Sequence, residues 1–270
     1  MAIITISRGS FSMGRLVAEK VAERLGYDII SREILLEASR HFNIPEIKLE
    51  KAIHDAPGIL ERYRHTKQAY IAYIRSALVE RVVNDNVVYH GLAGHLLLKG
   101  IGHVLKVRIN ADFEKRVAYV MNRDGLSEDE ARARLVEDDN QRRKWTYELY
   151  GHDPWDSAMY DLTIRIDRLS IEEAVGFICK AAQSSGFAAS ERSKQNLKDL
   201  ALACHVKAEL VADFPNIGVT CEYGNVIVYC KAGDRGGAKL GRRLDELKRK
   251  LAGIYSVEMH SGVPAPPDAV

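Results

Sequence analysis

Two rhythms of apolar residues alternate along the first two thirds of the chain. Residues 2–7, Ala2-Ile3-Ile4-Thr5-Ile6-Ser7, form a short β-branched run that reads as a buried strand. A loop rich in Ser and Gly follows at 7–14. Leu16, Val17, Val21, Ala22 and Leu25 then recur at helical spacing until Gly26 stops them. Residues 32–84 read as mostly helical, broken at Pro45 and Pro57-Gly58, with a last helix from about 59 to 83. Asn86-Val87-Val88-Tyr89-His90 is a second strand, and 91–102 a glycine-punctuated segment with a short helix. A third strand is expected at 103–109 and an amphipathic helix at 112–123, stopped by Gly125. Ser127 and Glu130 have the spacing of a capping box for the next helix. Residues 162–166 and 170–182 close the series as strand and helix. Strands alternating with helices indicate a parallel sheet covered on both faces.

The rhythm changes after residue 182. Residues 183–195 are small and polar, without an apolar period, and read as a linker. A helix is expected at 196–212, and strands at 217–222 and 225–231 around the turn Tyr223-Gly224. A basic amphipathic helix at 234–251 and a strand at 254–259 complete an α-β-β-α-β order. The expected organisation is therefore an α/β domain over 1–182, a linker over 183–195, a small α+β domain over 196–262 and a flexible proline-rich tail over 263–270.

Composition narrows the functional classes. At roughly 150 residues per domain, 270 residues make one large domain or one plus a small one. Its 46% hydrophobic and 28% charged residues exclude a wholly disordered chain and a collagen-like one. A net charge of +2 argues against a DNA-coating protein, and no DNA partner is expected. The 4 cysteines form no Cys-x-x-Cys pair, so no zinc site is signalled and no metal ligand is named. Reduced thiols, an N-terminal apolar run too short for a signal segment, and the lack of about 18 consecutive apolar residues together lead us to expect a cytoplasmic protein.

The strongest chemical signal is Gly9-Ser10-Phe11-Ser12-Met13-Gly14-Arg15 between the first strand and the first helix. The Gly-x4-Gly spacing is that of a P-loop, with Arg15 in place of Lys and Leu16 in place of Ser or Thr. Such a loop turns backbone N–H groups toward a polyphosphate at the positive end of a helix. Arg15 would grip phosphate oxygens bidentately, whereas Leu16 cannot ligate Mg²⁺. Gly9, Ser10, Ser12, Gly14 and Arg15 are the candidate nucleotide-binding residues.

These residues, with Ile4-Thr5-Ile6-Ser7-Arg8, Ala18-Glu19-Lys20 and Leu25-Gly26, resemble the cytidylate-kinase-like branch of P-loop kinases. The resemblance continues in order through Arg32-Glu33-Ile34, Val87-Val88, Gly91, Ile109-Asn110-Ala111, Arg116, Arg123 and Gly125-Leu126-Ser127. It closes with Asp139, Arg142, Tyr160-Asp161-Leu162 and Ser170-Ile171-Glu172, covering about residues 1–182. It implies a P-loop kinase-like parallel sheet flanked by helices. The implied activity is transfer of the γ-phosphoryl of ATP, with Mg²⁺ carried by the nucleotide, to a nucleoside monophosphate such as CMP. Asp138-Asp139-Asn140-Gln141-Arg142-Arg143-Lys144 is similar to the family's lid. In that reading Arg116, Arg123, Arg142 and Arg143 neutralise the transition state with Arg15, and Asp139 positions an arginine or the acceptor.

Other positions depart from the family's pattern. Phe11 and Met13 stand where the family tends to have Gly. Phe11 is expected to crowd the loop, and Met13 to resist positive φ. Leu92 stands where the family commonly has Arg. No acidic residue follows the second strand, which offers His90 instead, either a nucleotide contact or, more often for a strand end, a structural histidine. These departures keep a catalytically weak nucleotide sensor as the alternative. Arg62, Arg64, Arg75 and Arg81 lie on the 59–83 helix, in the place of the acceptor-binding insert. Tyr63, Tyr70 and Tyr73 read as packing, with a homo-oligomer interface as the alternative. The aromatic stretch Trp145 to Trp155 either fastens the lid or stacks a base.

The second domain resembles a BON domain in its element order, in Tyr223-Gly224-Asn225-Val226-Ile227-Val228 and in Ala252-Gly253-Ile254-Tyr255-Ser256-Val257. The resemblance implies a protein partner or an anionic surface, which Lys239, Arg242, Arg243, Lys248, Arg249 and Lys250 would approach. Gly233-Asp234-Arg235-Gly236 is similar to a KH-domain loop but follows a strand, which ranks RNA low.

Overall fold

The computed structural model describes residues 2–31, 33–42, 64–91, 93–231 and 237–270. Among these, residues 2–33 and 84–189 form one compact unit, and 34–42, 64–83 and 190–270 form a second.

The first unit is a P-loop kinase-like sheet of five parallel strands. The strands are β1 (Ile3–Arg8), β2 (Asp28–Ile30), β3 (Val87–His90), β4 (Val104–Ala111) and β5 (Leu162–Ile166), in the order β2-β3-β1-β4-β5. β1 is central, its Ile4 opposite Val88 of β3 and Leu105 of β4. Helix α1 (Gly14–Leu25) leaves the loop after β1 and stops at Gly26, which has φ 66°. The second-unit helices α2 (Glu33–Phe42) and α3 (Arg64–Val82) come next in the chain, then the single turn α4 (Gly94–Leu97). The first unit then adds α5 (Phe113–Asp124), α6 (Glu128–Tyr150) and α7 (Ile171–Ala182). Ile4, Ile6, Val88, Val107, Ile109 and Ile164 bury one face of the sheet against Val17 and Val21 of α1 and Ala174, Val175 and Ile178 of α7. Burial of apolar area at about 25 cal/mol per Å² holds these layers together. Capping boxes start α6 at Ser127/Glu130 and α7 at Ser170/Glu173, each satisfying orphan N–H groups. Strand β2 is an element the apolar pattern does not reveal, since Asp28 and Ile29 are exposed and only Ile30 is buried.

In the second unit, α8 (Glu191–Leu210), β6 (Gly218–Glu222), β7 (Asn225–Cys230), α9 (Gly237–Lys250) and β8 (Ser256–Ser261) follow the expected α-β-β-α-β order. The sheet runs β6-β7-β8, with β7 antiparallel to β6 and parallel to β8. Ala203, Val206 and Leu210 of α8 and Leu240, Leu244 and Leu247 of α9 bury Val219, Val226 and Val228. Contacts group α2 and α3 with these elements, because α3 runs along α8 and Phe42 stacks on Tyr73 at 4.2 Å. Helix α8 begins at Glu191, earlier than the expected 196, because Ser190 and Ser193 cap it reciprocally. Asp199 on α8 fixes the β6–β7 turn. It accepts from the N–H of Tyr223 at 2.9 Å and of Gly224 at 3.0 Å, residues whose φ values of 48° and 76° suit a type I′ hairpin turn. The tail expected to be flexible is tied back instead. Val270 and Val219 exchange two backbone hydrogen bonds at 2.9 and 3.2 Å, and Val270 packs on the core.

Candidate nucleotide-binding site

β1 delivers the chain to the loop at Arg8. The Gly9 N–H donates to the Ile109 carbonyl at 3.2 Å, and the Ser12 hydroxyl lies within 2.9 Å of the Gly9 carbonyl and 3.0 Å of the Ile109 carbonyl. These bonds fix the loop against β4. Phe11 and Met13 adopt φ values of 54° and 62°, so the expectation that Met13 resists positive φ fails. The left-handed region costs such residues roughly 1–2 kcal/mol each, which the surrounding hydrogen bonds offset. Nor does Phe11 crowd the loop. Its ring packs against the apolar cluster of Val117, Val120, Ala131 and Leu135, with Arg123 4.3 Å above it. Gly14 is required for a different reason: a Cβ there would stand 2.8 Å from Cβ of Arg8 and 3.0 Å from its Cδ. The missing side chain lets Arg8 cross the first turn of α1.

Cations gather around this loop. Arg8 is pushed down to about 10, first by burial and then by the charges of Arg142 and Arg15. Burial lowers Arg142 as well, against the pull of Asp138 and Asp139. His90, at the end of β3, is driven down to about 4 by burial and by Arg8, Arg15 and Arg142, so it is neutral at pH 7. Arg116 Nη1 donates to the Ser10 carbonyl at 3.0 Å and to Asp139 at 2.8 Å, and the other carboxylate oxygen of Asp139 accepts the Ser10 N–H at 3.0 Å. Among the described residues six buried side-chain polar atoms lack a hydrogen-bond partner; Thr5 Oγ1, Asn86 Oδ1 and His103 Nδ1 are three of them, and Ser10 Oγ, Arg116 Nε and His90 Nε2, around this loop, are the others. Buried polar atoms are normally paired, so three unpaired ones beside mutually repelling arginines fit an anion with several acceptor oxygens. Polyphosphate meets that description. A protein hydroxyl for Mg²⁺ is lacking at the usual place, since Leu16 has none and the Ser12 hydroxyl is turned to carbonyls.

The sequence-predicted residues separate into two groups. Gly9, Ser10, Ser12 and Gly14 form the loop, and Arg116, Asp139 and Arg142 converge on it. Arg15 sits at its edge, 77% exposed, with Nε on Glu19 at 2.8 Å. Arg123 and Arg143 are instead paired with nearby carboxylates, Arg123 while lying over the Phe11 ring of the loop. Arg123 bonds Asp124 through two contacts of 2.6 Å, and Arg143 grips Asp153 at 2.5–3.1 Å while covering Trp155 at 4.7 Å. The aromatic stretch after the lid therefore fastens it, through Arg143, Asp153 and Trp155. Leu92, Arg62 and the loop 233–236 lie outside the described residues, as do Tyr63 and the side chain of Arg64.

Sequence reasoning did not select Arg8 or His90 as site residues, although Arg8 ends the first strand directly before the loop. A second buried polar network went unnoticed. Ser7 Oγ meets His95 Nδ1 at 2.9 Å, and Tyr160 meets His95 Nε2 at 3.3 Å. Arg108, opposite Ser7 in the β1–β4 register, donates to Tyr160 at 3.4 Å. Burial drives His95 down to about 3, so its imidazole is neutral.

Residues 3–168 match the family model described as the cytidylate kinase-like family. The chain belongs to the cytidylate kinase-like family. A cytidylate kinase of Methanopyrus kandleri is 28% identical over 190 residues, covering 67% of this chain and 92% of that protein. A cytidylate kinase of Pyrococcus horikoshii is 33% identical over 121 residues, 43% of this chain and 62% of that protein. A solved structure of an uncharacterized protein from Eubacterium ventriosum shares the fold with a TM-score of 0.52 at 21% identity, over 68% of this chain and 99% of that one. Family membership thus spans the whole loop-and-lid constellation and ends before α7. Among the described residues of this cytidylate kinase-like chain, no helix is long and apolar enough to cross a membrane.

Proposed function

We propose that the chain transfers the γ-phosphoryl group of ATP to a nucleoside monophosphate, with CMP the leading acceptor. The observation that carries this reading is the set of unpaired buried atoms, Ser10 Oγ, Arg116 Nε and His90 Nε2, beside Arg8 and Arg142. Loop N–H groups and the α1 N-terminus would hold the β- and γ-phosphates. Arg8 would lie across them from the strand end, and Arg142 would reach them from α6. Asp139 positions Arg116 and would yield the Ser10 N–H to a phosphate oxygen. Phosphoryl transfer needs little more than in-line placement and charge neutralisation, and guanidinium groups in a partly buried site supply the second. Mg²⁺ carried by the nucleotide would supply further charge neutralisation, and Asp138 and Asp139, the carboxylates that act on Arg142, are the lid residues that would meet its water shell.

The test is chromatographic: purified protein with Mg²⁺-ATP and CMP, dCMP, UMP, AMP or GMP in turn, beside Arg142→Ala. Diphosphate should form with CMP and fall sharply in the variant. No diphosphate with any acceptor would sink the kinase reading.

One observation favours a second reading, a nucleotide sensor of weak turnover: Asp139 occupies the Ser10 N–H and Arg15 is turned to Glu19. ATP binding without diphosphate formation would select it. For the second unit we keep the BON-like reading with a protein partner. Lys239 and Lys250 of α9 pair with Asp213 and Glu209 at 2.8 and 3.1 Å, which favours a cover for the sheet over a lipid-facing helix.

A further inference from the structure

Within the second unit, three metal-ligating side chains converge that no step above uses. His41 stands in the last turn of α2, and His205 and Glu209 lie one turn apart on α8. One ligand atom from each lies within 4.8 Å of the other two. His205 Nε2 is 3.9 Å from Glu209 Oε1, and the rings of His41 and His205 meet edge to face with centroids 5.4 Å apart. We propose that His41, His205 and Glu209 form a binding site for a divalent transition-metal ion of the Zn²⁺ type, with water completing the coordination.

The donor set selects the ion. Two imidazoles and one carboxylate suit Zn²⁺ and its neighbours, whereas Mg²⁺ and Ca²⁺ prefer all-oxygen shells. The i,i+4 spacing puts His205 and Glu209 on one helix face, as in other helical zinc sites, and the third ligand comes from a helix remote in sequence. Bonds of about 2.0–2.2 Å require the three donors to draw together by roughly an ångström. Rotamer adjustment can supply that, because His41 is exposed and the other two are only partly buried. Lys250 Nζ sits 3.1 Å from Glu209 Oε1, so a cation already balances this carboxylate and a metal ion would displace it. A groove of about 580 Å³, lined in part by Val79, Glu80, Leu202, His205 and Tyr255, opens beside His205 and gives the ion and its water a path. The Cys pattern could not have signalled this site, which contains no thiol. Metal binding would clamp α2 to α8.

The test uses the full chain, stripped with chelator and titrated with Zn²⁺ and separately with Co²⁺. We expect one equivalent per chain, visible Co²⁺ d–d bands without thiolate charge-transfer bands, and a Tm that rises with metal. His41→Gln changes an exposed side chain and leaves the fold intact, so it separates lost ligation from lost folding. It and Glu209→Gln should each weaken binding at least tenfold, and His205→Gln should abolish it. Lys250→Met should tighten binding several-fold. Unchanged affinity in His41→Gln and His205→Gln, a thiolate-type Co²⁺ spectrum, or no stoichiometric binding would each overturn the proposal.

Discussion

Asp199 in the second unit and the phosphate loop in the first are both buried polar centres, and they are built on opposite principles. The carboxylate of Asp199 accepts from Tyr223 N, Gly224 N and Gln195 Nε2 at 2.9–3.2 Å and from Cys221 Sγ at 3.4 Å. At the loop, guanidinium groups crowd one another and Ser10 Oγ, Arg116 Nε and His90 Nε2 lack partners. A centre whose hydrogen-bonding capacity is met within the chain contributes to stability. A centre left short of acceptors gains most from a ligand that brings them. On this contrast the first centre reads as structural and the second as the ligand site proposed above.

The sharpest way to break it is at Arg142. If its role is to meet phosphate, Arg142→Ala should lower kcat/KM by about 10²–10³-fold, the range for removing one preorganised charge-stabilising group. It should leave Tm unchanged or slightly higher, because a partly buried cation repelled by Arg8 is gone. A large fall in Tm with turnover intact would reverse the assignment. Asp199→Ala should do the opposite. Two backbone N–H groups would lose their acceptor at a turn with two left-handed residues, at a cost of about 3 kcal/mol. Denaturant unfolding would show that loss, while nucleotide binding by the first unit should persist.

Protonation offers a third probe. His90 and His95 are held neutral down to about pH 4 and about pH 3, mainly by burial. An unfolded imidazole takes up its proton near pH 6.5, so below that value the unfolded state binds more protons. The stability these groups contribute is complete above pH 6.5 and is lost as pH falls toward the folded values. Between pH 7 and pH 5 each should cost about 2 kcal/mol, as follows from the linkage relation. Urea midpoints at the two pH values give the slope, and His95→Gln should remove its share. A phosphate-bearing ligand should reverse the trend at His90, since it would stabilise the imidazolium, and should leave the His95 share alone.

Most of the fold is legible in the sequence because its signals are local. β-branched runs mark β1 and β5, glycines mark the ends of α1 and α5, and Ser127/Glu130 and Ser170/Glu173 mark the starts of α6 and α7. Strand β2 is hidden because three residues with one buried side chain show no period. The proline-rich tail looks loose because its anchor is a backbone pairing with Val219, which leaves no trace in composition. The loop is visible in its glycine spacing, and Arg116, Asp139 and Arg142 are visible through the family's order. Arg8 is in that order too but carries no sign of a site role there, and His90 is only a strand end; they come together where the ends of β1 and β3 meet Arg142 of α6. Arg123 and Arg143 look equivalent to their neighbours until Asp124 and Asp153 are seen to hold them.

The smallest effect tests the strained loop itself. Met13 has φ 62° at the start of α1 without a capping side chain, and Phe11 has φ 54° two residues before it. Glycine relieves roughly 1–2 kcal/mol of left-handed strain at either place and gives back about 0.5–1 kcal/mol through the freer unfolded chain. At Met13 little packing is lost, so Met13→Gly should stabilise by about 0.5 kcal/mol. At Phe11 the ring also packs near Tyr119 at 6.2 Å and lies under Arg123 at 4.3 Å. Losing that cation–π contact and the ring's burial outweighs the relief, so Phe11→Gly should destabilise by about 1 kcal/mol or more. Opposite shifts in Tm for two residues of equal backbone strain would show that Phe11 is kept for its packing on the α5–α6 cluster, and that Met13 is tolerated only because the loop must turn there. A Phe11→Gly protein stabilised as much as Met13→Gly would mean that the packing of the ring contributes nothing.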